Sequence, residues 1–493
     1  MSEGLLASGL LVPLAGAVGI LLLKRWPNLR EIATLASAAG LFATIINLTL
    51  DFLAQERPTL TIAEPMAGLA IRLSVEPLGL LFALIASGLW IVTSIYSIGY
   101  LRAKKEHNQT RYFFCFALSL ASAMGIAFAD NLFTLFIFYE ALTLATYPLV
   151  AHYGTDVART GARKYLQILL ATSIGFFLPA IIMVYALVGH GDFRPDGLLS
   201  GQISPVAVAP LLILFLYGVG KAAVMPVHRW LPIAMVAPAP VSALLHAVAV
   251  VKAGVFVIAK LVIFVFGWQT LADAPWTEIP LYLAGFTIIA ASLIALRQDN
   301  IKSMLAYSTV GQLSYVVMAA MLFSAQGSLA AAMHIAAHAV AKITLFFAAG
   351  SIYVASGKIL ISQLDGIGRR MPLTLLAVAI AAASMIGLPP TAGFVSKWLL
   401  LQAAVLQESW FVLGVLVIST ALNAAYFLPI LYRAFFKEPP KDEPVHGEAP
   451  VPIVGALLIT ASLTLFFMLF ATSIANLQAP LLEGSLPPGS LLP

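Results

Sequence analysis

The stretch "VSALLHAVAVVKAGVFVIAKL", residues 241–261, decides the fold because it combines the composition of a membrane span with three ionisable side chains. A run of about 20 largely apolar residues is long enough to cross the hydrocarbon core as a helix. Within this run lie His246, Lys252 and Lys260. Since a lysine at the bilayer centre costs about 2.5–3.5 kcal/mol on insertion scales, such residues indicate a functional site.

The composition of the whole chain indicates an integral membrane protein. Of 493 residues, 61% are hydrophobic and 10% are charged, whereas soluble domains carry roughly 25% charged residues. The single cysteine, Cys115, lies in an apolar run and excludes a disulfide framework. Acidic Glu3 precedes the first apolar run, and no basic segment does, so we expect a retained span and not a cleaved signal.

Hydrophobic runs predict an all-α protein with about 14 transmembrane helices and no soluble domain. Segment 55–75 alternates polar and apolar residues around Pro and Gly, and we expect a small extramembrane hairpin there. The predicted spans are 5–23, 31–53, 77–100, 112–129, 132–151, 164–188, 206–230, 238–266, 279–297, 303–324, 327–355, 371–402, 410–435 and 451–475.

The basic residues predict the orientation. Of 27 Lys and Arg, nineteen, including Arg30, Lys302 and Lys441, fall around loops after odd-numbered spans. Three fall in loops after even-numbered spans, and five lie inside spans. By the positive-inside rule the odd loops are cytoplasmic and both termini lie on the outer side. The net charge of +5 is therefore a topology signal and does not indicate nucleic-acid binding.

Two spans contain helix-breaking residues next to a lysine. Span 7 reads "LYGVGKAAVMPVHRWLP" around Lys221, and span 12 reads "MIGLPPTAGFVSKWLLL" around Lys397. Within a bilayer, freed backbone groups are tolerated only where they face protein or a wet cavity. Proline kinks are common in membrane helices, but paired breaks five spans apart favour inverted repeats with the working site at the breaks. The predicted breaks comprise Gly218, Gly220, Pro226, Pro389, Pro390 and Gly393.

We therefore predict two inverted five-helix repeats, spans 4–8 and 9–13. Residues 1–110 would hold spans 1–3 and the hairpin, 111–270 the first repeat, and 271–437 the second. Residues 438–493 would hold span 14 and a tail.

Glu140 is the one carboxylate predicted near mid-membrane depth, against five lysines inside the spans. A buried carboxylate favours the charged form of a neighbouring lysine, so the two should pair. Lys221, beside a helix break where it can move, is the predicted partner. The alternative is a static ion pair that only sets helix register.

The segment "MHIAAHAVAKITLFF" places His334, His338 and Lys342 along one helix face. Histidines four apart can chelate zinc, but no HExxH motif, cysteine or carboxylate accompanies them, and we predict no metal. Structural histidines are a second alternative. Imidazoles that titrate near neutrality favour a proton relay. Lys252 and Lys260 are eight residues apart and share a face, and Lys260 either joins the pathway or snorkels toward the interface.

These residues together predict a hydrated track that carries protons across the membrane. The phosphate-loop pattern is rejected at "YGVGKAA", because Phe215 and Ala222 replace the required glycine and hydroxyl residue. No cofactor is predicted. The predicted track residues are Glu140, Lys221, Lys252, His334, His338, Lys342 and Lys397, with His246, Lys260 and His228 as additional candidates.

Five stretches resemble the antiporter-like subunits of the complex I/Mrp superfamily. They are "LFIFYEALTLATYPLV", "GVGKAAVMPVHRWLPIAMVAPAPVSALLHAVAVVKAG", "ALRQDNIKSMLAYSTVGQLSYV", "HIAAHAVAKITLFFAAGSI" and "GLPPTAGFVSKWLL". The resemblance implies fourteen helices, two inverted repeats and broken helices 7 and 12. It also implies an essential Glu140–Lys221 pair, a central relay at Lys252, His338 and Lys342, and a terminal residue at Lys397.

Lys397 and the chain length together resemble the D-type subunit of Mrp cation/proton antiporters. That resemblance implies partner membrane subunits, transport of protons with Na⁺ (or K⁺), and the inner membrane of a bacterium or archaeon. The alternatives are a proton-pumping subunit of a complex I-like oxidoreductase or membrane-bound hydrogenase, and the membrane subunit of a bicarbonate-accumulating complex. The proton track is the same in each case, so the residues leave these alternatives open.

Overall fold

The computed structural model describes residues 2–66, 68–440 and 446–482. Over these residues the chain is a helical bundle with one β-hairpin, which confirms the all-α membrane fold. Helices are numbered by the predicted span that they form. They are α1 Ser2–Leu22, α2 Pro27–Leu53, α3 Pro77–Ala103, α4 Gln109–Ala127, α5 Leu132–Val150, α6 Asp156–Val188, α7 Pro205–Gly218, α8 Ala239–Phe266, α9 Ile279–Ala295, α10 Ile301–Ala320, α11 Ala325–Ser356, α12a Pro372–Ile386, α12b Ala392–Leu406, α13 Trp410–Phe436, α14a Val451–Leu465 and α14b Met468–Leu482.

Nine helices within the described part of the chain are long and apolar enough to cross a membrane: α1 to α6, α8, α11 and α13. The bent pair α14a–α14b, with 68° between its halves, would make ten. Helices α7, α9, α12a and α12b are apolar but shorter. Helix α10, at 20 residues, is not among the helices apolar enough to cross. Each of the fourteen predicted spans nevertheless corresponds to a helix or a broken helix in the described residues.

The predicted extramembrane segment forms an antiparallel hairpin. Strand β1 (Thr59–Met66) pairs with β2 (Leu69–Ser74). The hairpin is fixed to the bundle because the hydroxyl of Thr134, in the first turn of α5, accepts from the backbone N–H of Arg72 at 2.9 Å.

Local sequence signals set where many helices begin. Asn131, Thr155, Asn300 and Ser324 each accept a hydrogen bond from a backbone N–H in the first turn of α5, α6, α10 and α11. Such caps satisfy one of the N–H groups that a helix start leaves unpaired. Several other helices, including α3, begin with proline, which lacks that N–H.

Both predicted helix breaks are confirmed. Helix α7 ends at Gly218, and Pro226 lies in the irregular segment that follows. Helix α12a ends at Ile386, and Pro389 and Pro390 lie in the turn before α12b.

Two glycines allow the broken segments to pack closely. Gly393 lies inside the first turn of α12b and not in the break itself, which corrects its predicted position. A Cβ there would lie 1.7 Å from the carbonyl oxygen of Ser384, so only glycine allows the two halves to approach. Gly254 of α8 allows an equally close approach to the backbone after α7, where a Cβ would lie 2.3 Å from the carbonyl carbon of Lys221.

Helices α8 and α11 form the centre of the bundle. The most apolar window of α8 is 100% buried and that of α11 is 94% buried, whereas the windows of α1, α2, α6 and α13 are at most 39% buried. The two helices pack on each other and on α10. The ionisable residues of the opening stretch are therefore enclosed by protein.

Two residues predicted as loop cations lie instead in helices and bond to neighbouring segments. Lys302 lies in the first turn of α10 and donates to the carbonyl of Ala237. Arg30 of α2 is 5% exposed and donates to Gln109. Lys441 lies outside the described residues. Lys302 and Arg30 are thus fixed by tertiary contacts and are not free loop charges.

Candidate functional site

Lys221 is held at the break after α7 by helix α5. It lies in a short turn, Gly220–Ala222, and is fully buried. Its Nζ donates to the carbonyl of Tyr139 at 2.8 Å and to the hydroxyl of Thr143 at 2.6 Å. It also lies 3.2 Å from the centre of the Tyr139 ring, a cation–π contact. The break frees Lys221 from a regular helix and lets its side chain reach α5.

The predicted direct ion pair between Glu140 and Lys221 is wrong for this conformation. Lys221 contacts Tyr139 and Thr143, which lie one turn apart on the same face of α5. Glu140 is rotated by about 100° from Tyr139, and its buried carboxylate oxygens have no hydrogen-bond partner among the described residues. Lys221 still lies within range of the Glu140 charge. The two charges therefore interact without a direct contact.

A first polar chain runs from α8 across α11. Lys252 Nζ and His338 Nδ1 lie 2.5 Å apart, and both residues are fully buried. The rings of His338 and His334 are nearly parallel with centres 6.1 Å apart. His334 Nδ1 then lies 2.9 Å from the hydroxyl of Ser396 on α12b. Three predicted residues thus lie in one row, which we call the first polar chain, although no hydrogen bond joins its two imidazoles among the described residues.

Lys397 is held by the freed end of α12a. Its Nζ donates to the carbonyls of Met385 and Ile386 at 3.1 and 2.8 Å. A helix leaves its last carbonyls unpaired and its C-terminus partly negative, so this end stabilises an ammonium group. The ring of Tyr315 joins this site to the first chain, 5.2 Å from Lys397 Nζ and 5.4 Å from the ring of His334.

A second polar chain connects Lys342 to the same carbonyl. Lys342 Nζ donates to Ser308 at 2.8 Å, and the hydroxyls of Ser308 and Tyr426 lie 3.0 Å apart. Tyr426 donates to Asn423, which donates to the Met385 carbonyl at 3.2 Å. Both chains therefore converge on the break between α12a and α12b, the second chain at the Met385 carbonyl beside Lys397.

Sequence reasoning missed the neutral residues that join these lysines and histidines. They are Thr143 beside Lys221 and, around the two chains, Ser308, Tyr315, Ser396, Asn423 and Tyr426. Hydroxyl residues are frequent in membrane helices, where they commonly bond to a carbonyl of their own helix. Ser122 and Thr464 do so here. No pattern in the sequence separates the linking hydroxyls from these.

Lys260 does not snorkel, which excludes one of its two predicted alternatives. It is 1% exposed, forms an ion pair with Glu76 Oε1 at 2.8 Å and donates to the carbonyl of Ala129 at 2.6 Å. Glu76, which directly precedes α3, is a buried carboxylate that the sequence analysis did not single out. Burial raises the pKa of Glu76, and the ammonium of Lys260 opposes that rise. The pair links α3 to α8 apart from both polar chains.

The two additional histidines lie in different surroundings. His246 is fully buried in a π-helical turn, Leu244–Val248, with Nδ1 3.0 Å from the hydroxyl of Thr309. His228 lies in a short turn after the α7 break, with its ring centre 6.1 Å from that of Tyr307. His228 is 9% exposed and contacts neither chain.

Comparison with known proteins identifies the family. Residues 129–423 match the family described as NADH:quinone oxidoreductase/Mrp antiporter, TM. NADH-quinone oxidoreductase subunit N of Desulforudis audaxviator is 32% identical over 388 residues, covering 78% of this chain and 76% of that protein. The A-type Na⁺/H⁺ antiporter subunit of Alkalihalophilus pseudofirmus is 32% identical over 461 residues, covering 86% of this chain. This chain spans only 55% of that antiporter protein.

Solved structures share the fold. A chain in the Mrp complex of Dietzia sp. DQ12-45-1b superposes with a TM-score of 0.87 at 21% identity, covering 99% of this chain and 98% of that chain. A chain of an archaeal membrane-bound sulfane sulfur reductase superposes with a TM-score of 0.81 at 25% identity, covering 94% of this chain and 75% of that one. The predicted resemblance is confirmed: the chain belongs to the NADH:quinone oxidoreductase/Mrp antiporter family of multi-pass membrane subunits.

Proposed function

We propose that this chain is the proton-translocating membrane subunit of a multisubunit Mrp-type antiporter that exchanges Na⁺ or K⁺ for protons. One observation carries the proposal: two buried polar chains, starting at Lys252 and Lys342, converge on the α12 break that holds Lys397. Ionisable groups inside a membrane protein are costly and mark ion or proton pathways.

The contacts suit proton transfer along these chains. Lys252 and His338 share one short hydrogen bond, so a proton can move between two nitrogens without a large rearrangement. Lys342 and Lys397 are held only by hydroxyls and carbonyls among the described residues, with no carboxylate that would fix their charge. Each lysine can therefore release a proton when a neighbouring charge changes.

Lys221 and Glu140 are the proposed switch at the other end of the track. In this conformation Lys221 binds neutral groups of α5 while Glu140 lies without a partner. A shift of the irregular segment after α7 would bring Lys221 and Glu140 together. The carboxylate would then offset the positive charge that Lys221 presents to the rest of the track. Such a movement couples conformation to proton position, as an antiporter requires.

The relatives named as Na⁺/H⁺ antiporter subunits and the fold shared with the Mrp complex support this assignment. Partner membrane subunits, the surrounding lipid, Na⁺ as the exchanged ion and the inner membrane of a bacterium or archaeon are part of the proposal. So are the cytoplasmic placement of the odd-numbered loops and the two inverted repeats. Lys397 favours the D-type among antiporter subunits.

The second candidate is a proton-pumping subunit of a complex I-like oxidoreductase. The subunit N relative favours it, because the match covers 76% of that protein and 78% of this chain. Mass spectrometry of co-purified partners distinguishes the candidates. Small hydrophobic antiporter subunits support the first, iron–sulfur or flavin proteins support an oxidoreductase or hydrogenase, and a soluble zinc protein supports bicarbonate accumulation.

The test uses inside-out membrane vesicles that contain the assembled complex. We expect Glu140→Ala and Lys221→Ala each to abolish Na⁺- or K⁺-dependent dissipation of a pH gradient while assembly is retained. Glu408→Ala, at an exposed position, is the matched control and should transport normally. Normal transport by both site variants would refute the proposed roles.

A further inference from the structure

A groove of about 960 Å³ lies between α1 and α5, which both pack on α4. Its floor is the part of α4 from Phe114 to Ser122, and strand β1 lines one end of it with residues 60–62. We call it the α4 groove. No residue of either polar chain lines it, so the proposed proton track leaves the groove without a role.

The surface of the α4 groove is apolar and accessible from the side of the bundle. Leu11 on the α1 wall is 60% exposed, and Leu144 on the α5 wall is 56% exposed. Among the described residues that line the groove none is charged, and the hydroxyl of Ser122 in the floor already donates to the carbonyl of Leu118. Such a surface binds hydrocarbon and offers little to a polar solute or an ion.

The groove is too short for a second membrane-spanning helix. Its α5 wall runs from Phe138 to Pro148, and this part of the helix rises about 15 Å at about 1.5 Å per residue. Because the hydrocarbon core is about 30 Å thick, the wall covers about half of it, which is the depth of one leaflet. Strand β1 lies at one end of the groove and would obstruct a helix that continued past it. A lipid chain that enters from the opposite end needs only this depth.

Arg111 lies at the end of the groove away from the hairpin. It is exposed, and it precedes Phe114 and Cys115 of the floor by about one turn on the same face of α4. Its guanidinium donates to the carbonyl of His152, just after α5, at 3.0 Å, so it is held between the ends of α4 and α5. The positive charge of Arg111 acts on Cys115 in the floor.

The guanidinium of Arg111 can still bind an anion. It forms no ion pair with any residue that the structure describes, and its one hydrogen bond leaves most of its N–H donors to other acceptors. The neighbouring His152 is neutral at pH 7, because burial and then the charge of Arg111 lower its pKa to about 4. A cation with available donors therefore lies at the mouth of an apolar groove.

We propose that the α4 groove binds an anionic phospholipid, with an acyl chain along the groove and the phosphate on Arg111. The planar guanidinium can meet two phosphate oxygens with parallel N–H bonds. A quinone or another neutral apolar molecule would fill the groove but would leave Arg111 without an anion. The end that carries Arg111 is cytoplasmic in the proposed orientation, whereas the lipid site itself does not depend on the proposed function.

Photo-crosslinking of the assembled complex in vesicles of phosphatidylcholine tests the site. Traces of phosphatidylglycerol or phosphatidylcholine, each with a diazirine in an acyl chain of the same length, are added to separate samples, and adducts are located by peptide mass spectrometry. On residues 114–122 and 138–148 we expect phosphatidylglycerol adducts to exceed phosphatidylcholine adducts about fivefold, which corresponds to about 1 kcal/mol for one basic residue. Exposed residues of α2, such as Leu50, should react equally with both lipids.

Two variants with matched controls test the phosphate contact and the chain contact separately. Arg111→Gln should lower the phosphatidylglycerol adducts in the groove to the level of phosphatidylcholine, while Arg159→Gln, at an exposed position of α6, should not. Ala145→Phe fills the groove from the α5 wall and should remove the adducts of both lipids there. Its control Ala39→Phe, at an exposed position of α2, should leave them unchanged.

Three results would overturn the proposal. Equal adducts of the two lipids in the groove of the unsubstituted chain would show that the site does not recognise the headgroup. Unchanged adducts in Arg111→Gln would show that Arg111 does not hold the phosphate. A groove without adducts in the assembled complex, beside a labelled α2, would show that a partner subunit covers it in place of a lipid.

Discussion

Replacing Lys260 by methionine should destabilise the folded protein by about 3–5 kcal/mol, although Lys260 belongs to neither polar chain. The ammonium is 1% exposed and lies 2.8 Å from a carboxylate oxygen of Glu76. Removing one member of a buried pair leaves the other charge without compensation, which typically costs about 3–5 kcal/mol. A snorkelling lysine in an exposed ion pair would cost at most about 1 kcal/mol.

A double-mutant cycle isolates the pair. The variants Lys260→Met, Glu76→Gln and the double variant are unfolded with SDS in mixed micelles, with exposed Lys105→Met as the control. The double variant removes both charges at once. Its loss of unfolding free energy should therefore be about 1–3 kcal/mol smaller than the sum of the losses of the two single variants. Additive losses, or a Lys260→Met loss below about 1 kcal/mol, would refute the buried pair.

Proton transport by the folded fraction tests whether Lys260 also belongs to the proton pathway. Because Lys260 has no hydrogen bond to either polar chain among the described residues, the folded Lys260→Met protein should keep most of its proton movement. Complete loss of transport by properly folded protein would place Lys260 in the pathway.

Two further variants test the packing of the α12 break and the second polar chain. Gly393→Ala should lower the free energy of unfolding in SDS by about 1–3 kcal/mol, because the new Cβ would overlap the Ser384 carbonyl. The control Gly455→Ala, whose Cβ would meet no atom within 4 Å, should leave it unchanged. An equal effect of both would contradict the close packing. Tyr426→Phe removes a hydrogen bond of about 1 kcal/mol from the second polar chain. If that energy is lost from the barrier to proton transfer, proton movement in vesicles should slow about fivefold. The control Tyr432→Phe, at an exposed position, should not slow it. An unchanged rate would mean that the second chain does not carry protons.

Local chemistry accounts for the correct part of the sequence-based prediction. Span positions follow from the length of apolar runs, and the breaks in spans 7 and 12 follow from Gly218 and the Pro389–Pro390 pair, which act on their own backbone. The hairpin follows from alternating residues around a turn. None of these features needs a distant partner, so each could be read from a short segment.

The site was predicted only in part, because its contacts join distant segments. The residues of the predicted central relay stand out in the sequence by their charge, and the structure places Lys252 beside His338. The partner proposed for Lys221 was wrong as a direct contact, since the face of α5 that meets the break presents Tyr139 and Thr143. Glu76 was overlooked because it lies just outside the helix that it precedes.

The sequence by itself determined which helices exist, where two of them break and which titratable groups the bundle contains, because these depend on hydrophobicity and backbone chemistry within one segment. Only the tertiary structure decided which groups touch. It placed α8 and α11 at the centre, turned the Met385 carbonyl toward Lys397, and joined Lys342 to that carbonyl through Tyr426 and Asn423. Helix rotation and packing set these contacts, and a rotation of about 100° replaces one neighbour by another while the sequence of each helix stays the same.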